Sequence, residues 1–149
     1  MAVNVRQSAT LYIRWQNPIS GLIKPFRRVL TNVFVSEQGN QIAQRTGIVL
    51  NQALFAQIFL QPDLIYVPLD EWNKLSEDAI DGKYSLDVIS PQSIFVPYEV
   101  SNEFDFDSLS EITQAENIFV NKTPGARRIA SIEDNRRGTQ RAQHIMIRC

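Results

Sequence analysis

The feature that most constrains this chain is a two-residue hydrophobic period that returns in many short stretches, while sustained helical periodicity is scarce. Successive side chains of a strand point to opposite faces, so each such stretch can bury one side of a sheet. Leu11, Ile13 and Trp15 alternate with Thr10, Tyr12 and Arg14, and Phe26 to Val35, rich in aromatic and β-branched residues, sets Val29, Val33 and Val35 on one side. Asn17-Pro18-Ile19-Ser20-Gly21 reads as a turn between them, and Ser36 to Asn40, with Gly39, as another. Further strands are expected at Thr46–Leu50, Leu54–Leu60, Leu64–Val67, Ser93–Tyr98, Ile118–Asn121, Arg127–Glu133 and Gln143–Arg148. So many short strands predict a mainly β fold, a small β-barrel or sandwich-like single domain over residues 1–149.

Two short helices are expected to interrupt the sheet. Behind Pro68, Leu69, Trp72 and Leu75 recur three apart, leaving Glu71 and Lys74 in water. Ser108-Leu109-Ser110-Glu111 has capping-box spacing, with Leu109 and Ile112 as the apolar side. Helices this short depend on tertiary packing.

At 149 residues, 44% apolar and 21% charged, the chain has the size and composition of one ordinary globular domain. No run approaches the roughly eighteen apolar residues of a membrane span, and the opening residues lack a secretory-leader pattern. The only cysteine is Cys149, so no internal disulfide is possible, which suits a reducing cytoplasm. The net charge of -1 hides a division: residues 1–61 carry +5, residues 62–121 carry -11 and residues 122–149 carry +5. Two arrangements remain open. Separate acidic and basic faces would steer copies together, whereas interleaved segments would make a mixed solvated surface.

Catalysis is hard to assemble from these residues. The usual acid–base residue occurs once, as His144 in the last expected strand, and reads as structural or merely exposed. No Cys/His cluster has zinc spacing, and Glu103-Phe104-Asp105-Phe106-Asp107 lacks the glycine-centred calcium pattern. The six glycines are scattered and form no phosphate-cradling loop. No cofactor is therefore expected. The arginines at 127, 128, 136, 137 and 141 can lie near DNA phosphates, but no nucleic-acid module accompanies them. Carboxylates within residues 99–111 keep a small hydrolase as the competing reading.

One local signature stands out. Ile129 to Thr139, containing Asp134-Asn135-Arg136-Arg137-Gly138, followed by Gln143-His144-Ile145-Met146-Ile147, is a hairpin pattern in which Gly138 supplies positive φ. Tyr66-Val67-Pro68 ahead of Glu71-Trp72-Asn73-Lys74-Leu75, then Ile94-Phe95-Val96 with Tyr98-Glu99-Val100, then that turn ahead of His144, follow in an order that resembles small structural proteins of tailed bacteriophages. These are minor capsid or head–tail connector proteins of the head-closure type. Thr10-Leu11-Tyr12-Ile13-Arg14 and Arg28-Val29-Leu30 fit the same group, so the likeness spans most of the chain.

The resemblance implies a virion protein, assembled in the host cytoplasm, that forms a ring in the neck between portal or adaptor proteins and a tail terminator or tail tube, with no membrane partner and no enzymatic activity. A tail terminator or tail-completion protein is the alternative within the same group. In such rings a loop of each copy reaches into the DNA channel. The matching segment is the polar excursion 37–47, with Gln38, Gly39, Asn40, Gln41, Gln44 and Arg45, whose single acid and single base would let it obstruct packaged DNA without clinging to phosphates. Contact anchors are expected among Trp15, Phe34, Tyr98, Arg136 and Arg137, with Trp15 equally suited to the core.

Overall fold

A computed structural model describes residues 6–44, 47–89, 92–101, 108–135 and 144–149. The chain is mainly β, as the alternation requires. Strands β1 (Gln7–Gln16), β2 (Ile23–Gln44) and β3 (Gly47–Phe59) form an antiparallel meander. A two-residue parallel pair, β4 (Ile65–Tyr66) and β5 (Lys83–Tyr84), flanks the short helix α1 (Leu69–Trp72). Strand β6 (Ile94–Val96) returns to β1, helix α2 (Leu109–Lys122) follows, and β7 (Arg127–Arg128), β8 (Ser131–Asn135) and β9 (His144–Arg148) complete the sheet.

The sheet order is β7-β6-β1-β2-β3-β9-β8, and its two outer members are separated by only residues 129 and 130. Ile129 donates its N–H to Ser93 O beside β6, and Ala130 donates to Arg148 O on β9. One continuous segment, 127–135, therefore bonds both edges of a sheet that is curled into a half-barrel. Inside lie Ala9, Leu11, Leu30, Val33, Leu54, Ala56, Ile58, Phe95, Ile129, Ile145 and Ile147, all buried. Segment 67–80 fills one end. Trp15, Val67, Trp72 and Ile80 pack together there, Trp15 Nε1 donates to Leu75 O at 3.0 Å, and Trp72 Nε1 donates to Arg14 O at 3.1 Å.

Strand β2 serves two partners, β1 along its first half and β3 along its second, and a bulge lies at the exchange. Between Ala9↔Leu30 and Gln7↔Val33 the strand carries one extra residue. Gln61 clamps this irregularity: its Oε1 accepts from Thr31 N at 2.7 Å and its Nε2 donates to Asn32 O at 3.2 Å. The extra residue shifts the inward set, so Leu30 enters the core where alternation alone placed Val29. Arg28, on the same side, donates to the carbonyls of Lys83 and Ile80 and ties segment 80–84 to β2. Burial lowers its pKa and nearby Asp81 opposes the shift.

Helix α2 covers the outside of β1 and β6. Tyr12, Ile94, Val96, Phe119 and Ala126 form the layer between them, with the Tyr12 and Phe119 rings 5.0 Å apart and edge-on. The helix starts as its sequence predicts, with Ser108 Oγ accepting from Glu111 N. Its length differs. Ile118–Asn121, expected as a strand, continues the helix, because the buried stripe is Ile112, Glu116 and Phe119 rather than Leu109 and Ile112. Leu109 faces out, 50% exposed.

The glutamate in that stripe is only 4% exposed and holds two arginines. Arg14 grips it with both arms, Nε to Oε1 at 3.0 Å and Nη2 to Oε2 at 2.6 Å, while Arg128 Nη2 stands 3.6 Å from Oε2. Thus strand β1, strand β7 and helix α2 meet at one carboxylate. Removing one partner of a buried pair leaves the other charge desolvated, so Glu116→Ala is expected to cost about 3 kcal/mol, read as a fall in the urea midpoint at unchanged slope.

Candidate interaction surfaces

The outer face of β2, β3 and β9, which no described helix covers, is the part most unlike an ordinary strand surface. Inward positions 54, 56 and 58 of β3 are buried, so Phe55, Gln57 and Phe59 project outward. Their neighbours in register are Phe34 and Ser36 on β2 and His144, Met146 and Arg148 on β9. Phe34, Ser36, Phe55, Gln57 and Met146 line a shallow cleft of about 260 Å³. Two cations lie over this face: Arg6 is 3.8 Å from the Phe59 ring centre, and Arg148 is 5.6 Å from that of Phe55. His144 packs against Phe59 with ring centres 5.5 Å apart. At one rim of this face, Ile58, Phe59, Leu64, Tyr66, Tyr84 and Ile145 bound a second cleft of about 290 Å³.

Of the expected contact anchors, Phe34 lies on this face, half-buried. Trp15 does not reach any surface; at 1% exposure it belongs to the core, because β1 is covered on both sides. Tyr98 is partly exposed, yet its hydroxyl donates to Pro124 O and its ring lies against Gly125. The backbone at Gly125 has φ +79°, a conformation glycine adopts without strain, so glycine makes the turn beside Pro97 and Tyr98. Arg136 and Arg137 lie outside the described residues, as does the turn of the β8–β9 hairpin, whose strands pair from Ser131↔Arg148 to Asn135↔His144.

The excursion 37–47 takes a different form from a loop. Residues 37–44 continue β2 and pair rung by rung with 47–54, from Glu37↔Leu54 to Gln44↔Gly47, so the expected turn at Ser36–Asn40 is strand. Gln38, Gly39, Asn40, Gln41 and Gln44 are rungs of this ladder, and Arg45 lies outside the described residues. Of the expected strands Thr46–Leu50 and Leu54–Leu60, residues 47–50 and 54–59 belong to one long strand instead of two, and Thr46 lies outside the described residues. No third strand bonds to residues 37–44 or 47–53 among those described. The result is a two-stranded ribbon about 25 Å long at the usual rise per residue.

Acid–base and nucleophilic groups are dispersed. Among the described residues no three His, Cys, Asp or Glu side chains come together as a metal site. In the carboxylate stretch, Glu99 and Glu111 are exposed and 102–107 lie outside the described residues. No described helix is long and apolar enough to cross a membrane. The charge segments interleave where ion pairs are described, because Arg14 and Arg128 come from the basic ends and Glu116 from the acidic middle, as do Lys24 and Glu77.

Compared with known families, curated proteins and solved structures, the chain matches no family model, no curated protein and no solved structure.

Cys149, which sequence position alone would leave on a frayed end, is held in place. Its N–H donates to Leu54 O at 2.9 Å, its side chain packs on the barrel core, and burial pushes the thiol up to about 12 against the opposing charge of Arg127. Native protein at pH 8 should react with a thiol reagent far more slowly than urea-unfolded protein, as followed by absorbance of the released chromophore. Because the unfolded thiol ionises first, near 9, stability from this group is complete below pH 9 and is lost as pH rises toward 12.

Proposed function

We propose that this chain is a structural protein of the head–tail interface of a tailed bacteriophage, a ring-forming head-closure component bridging portal or adaptor and tail. Its work is interface geometry and requires no reacting group of its own. The observation that carries the reading is the ribbon 37–53. An isolated two-stranded ribbon is marginal in water, so one that no third strand among the described residues supports has its natural place against another surface or in a shared channel. Across 37–53 the sequence holds one acid, Glu37, and one base, Arg45, a composition that occupies space beside DNA without strong phosphate attraction.

The aromatic face of β2, β3 and β9 supports the same reading, since partly exposed Phe and Met beside Arg are the side chains enriched at protein contacts. The resemblance noted in the sequence points the same way through independent residues, those of the β4–α1 segment, β6 and the β8–β9 hairpin.

Mass spectrometry of purified particles is the direct test. The chain should be present in multiple copies at the neck, and a phage lacking its gene should yield DNA-filled heads that lose DNA and do not join tails. Infectious particles devoid of the chain would refute the reading, and recovery of the chain with free tails would identify a tail terminator instead. Replacing 39–52 by a short turn between the paired residues Gln38 and Ala53 should keep the barrel folded and reduce DNA retention several-fold in assembled heads.

A further inference from the structure

One hydrogen bond fixes which backbone groups of the ribbon 37–53 point outward. Cys149 N–H donates to Leu54 O at 2.9 Å, so the backbone groups of Leu54 point away from β2. That direction alternates along a strand, and β2 and β3 keep one register from Val33↔Ile58 to Gln44↔Gly47 without a shift. On the outer edge of β3, therefore, the N–H and C=O of Gln52, Leu50 and Ile48 point away from the ribbon, and on the outer edge of β2 those of Gly39, Gln41 and Ala43 do the same. Among the described residues no strand pairs with either row. Open edges are normally blunted by a charge, a proline or a bulge. Residues 38–44 and 47–53 hold no charged residue and no proline, and their register holds no bulge.

We infer that the ribbon pairs edge to edge with the ribbons of neighbouring copies, the β3 edge of one copy bonding the β2 edge of the next; the inference rests on the ring reading above. The match between the two rows identifies the occupant. Gln52, Leu50 and Ile48 stand opposite Gly39, Gln41 and Ala43 within one copy, so the rows lie at the same height on its two sides. Rotation about an axis along the ribbon leaves heights unchanged. It brings Leu50 of one copy level with Gln41 of the next, each presenting one backbone donor and one acceptor. Tilting the ribbons moves the match by two-residue steps and keeps the same residues facing one another. Strand sense agrees as well: β3 runs antiparallel to β2 within a copy and therefore antiparallel to β2 of a rotated copy. The ribbons become one antiparallel sheet around the ring axis, in which each copy occupies about 9.6 Å of circumference, two strand spacings. Such pairing gives each ribbon the further strands that a lone hairpin lacks in water.

Amide hydrogen exchange of the full chain tests this. The chain is concentrated until native mass spectrometry detects oligomers, and exchange within 38–53 is compared with that of dilute monomer. The amides of Gln41, Ala43, Ile48, Leu50 and Gln52 should slow by about tenfold or more on assembly. Gln41→Pro removes a donor of the β2 edge and Leu50→Pro one of the β3 edge, neither of which the ribbon uses for its own bonds. Each variant alone should stay monomeric where the unaltered chain assembles. Their mixture should stop at dimers, because it joins one intact β3 edge to one intact β2 edge. Assembly of either variant by itself would overturn the inference. So would oligomers of the unaltered chain whose ribbon amides exchange as fast as in monomer, or a chain that stays monomeric throughout. Should a proline disturb the ribbon, the exchange measurement on the unaltered chain decides alone. Failure of the neck reading is distinguishable: slowed amides in oligomers of a chain missing from particles sink only that reading, and a neck ring whose ribbon amides exchange freely sinks only the edge pairing.

Discussion

The bonding of both sheet edges by one short segment governs the rest of this molecule. Adjacent residues Ile129 and Ala130 donate backbone hydrogen bonds to opposite edges of the sheet, so neither edge is left as a long open template. The same segment supplies Arg128, whose guanidinium reaches Glu116 on α2 and the carbonyl of Gln92 before β6. The link between the sheet edges and the seat of the helix thus share one side chain. The turn at 123–126 joins them, with Ala126 buried in the layer under the helix and Gly125 taking the positive φ of the turn.

Much of the sheet was legible because period-2 alternation is a direct imprint of burial on one face. Strands β1, β6 and β9, the capping-box start of α2, and the apolar triplet Leu69, Trp72 and Leu75 all lie where pattern placed them. What pattern missed has specific causes. The extra residue between Leu30 and Val33 reverses inside and outside within one strand, and its stabiliser, Gln61, is about thirty residues away in sequence. Helix α2 was cut short because a glutamate occupies the middle of its buried stripe, and only the fold reveals the arginines that make that burial tolerable.

The candidate surface was less legible than the fold. Phe34 could be named as a contact residue, but its neighbours Phe55 and Met146 come from strands distant in sequence, and their shared outward direction depends on register. Trp15 illustrates the reverse case, a residue suited to surface or core that the fold places in the core. An aromatic residue on an alternating strand is equally consistent with surface and core until the second cover, segment 67–80, is in place. The segmental charge pattern also resolves only in three dimensions, where basic ends and acidic middle neutralise each other within the protomer at Glu116 and Glu77.

A barrel with one outer side covered and the other bare has to keep its bare aromatics in water. Here the cover is made by cations. Arg6 lies over Phe59 and Arg148 over Phe55, each contact worth about 0.5–1 kcal/mol at an exposed site. That is enough to shade the rings and too little to hold them against a large apolar partner. By contrast, the covered side is fixed by a buried, doubly held glutamate, which resists exchange. The two sides are therefore held differently, one by a buried carboxylate shared between two arginines and the other by arginines laid over partly exposed rings.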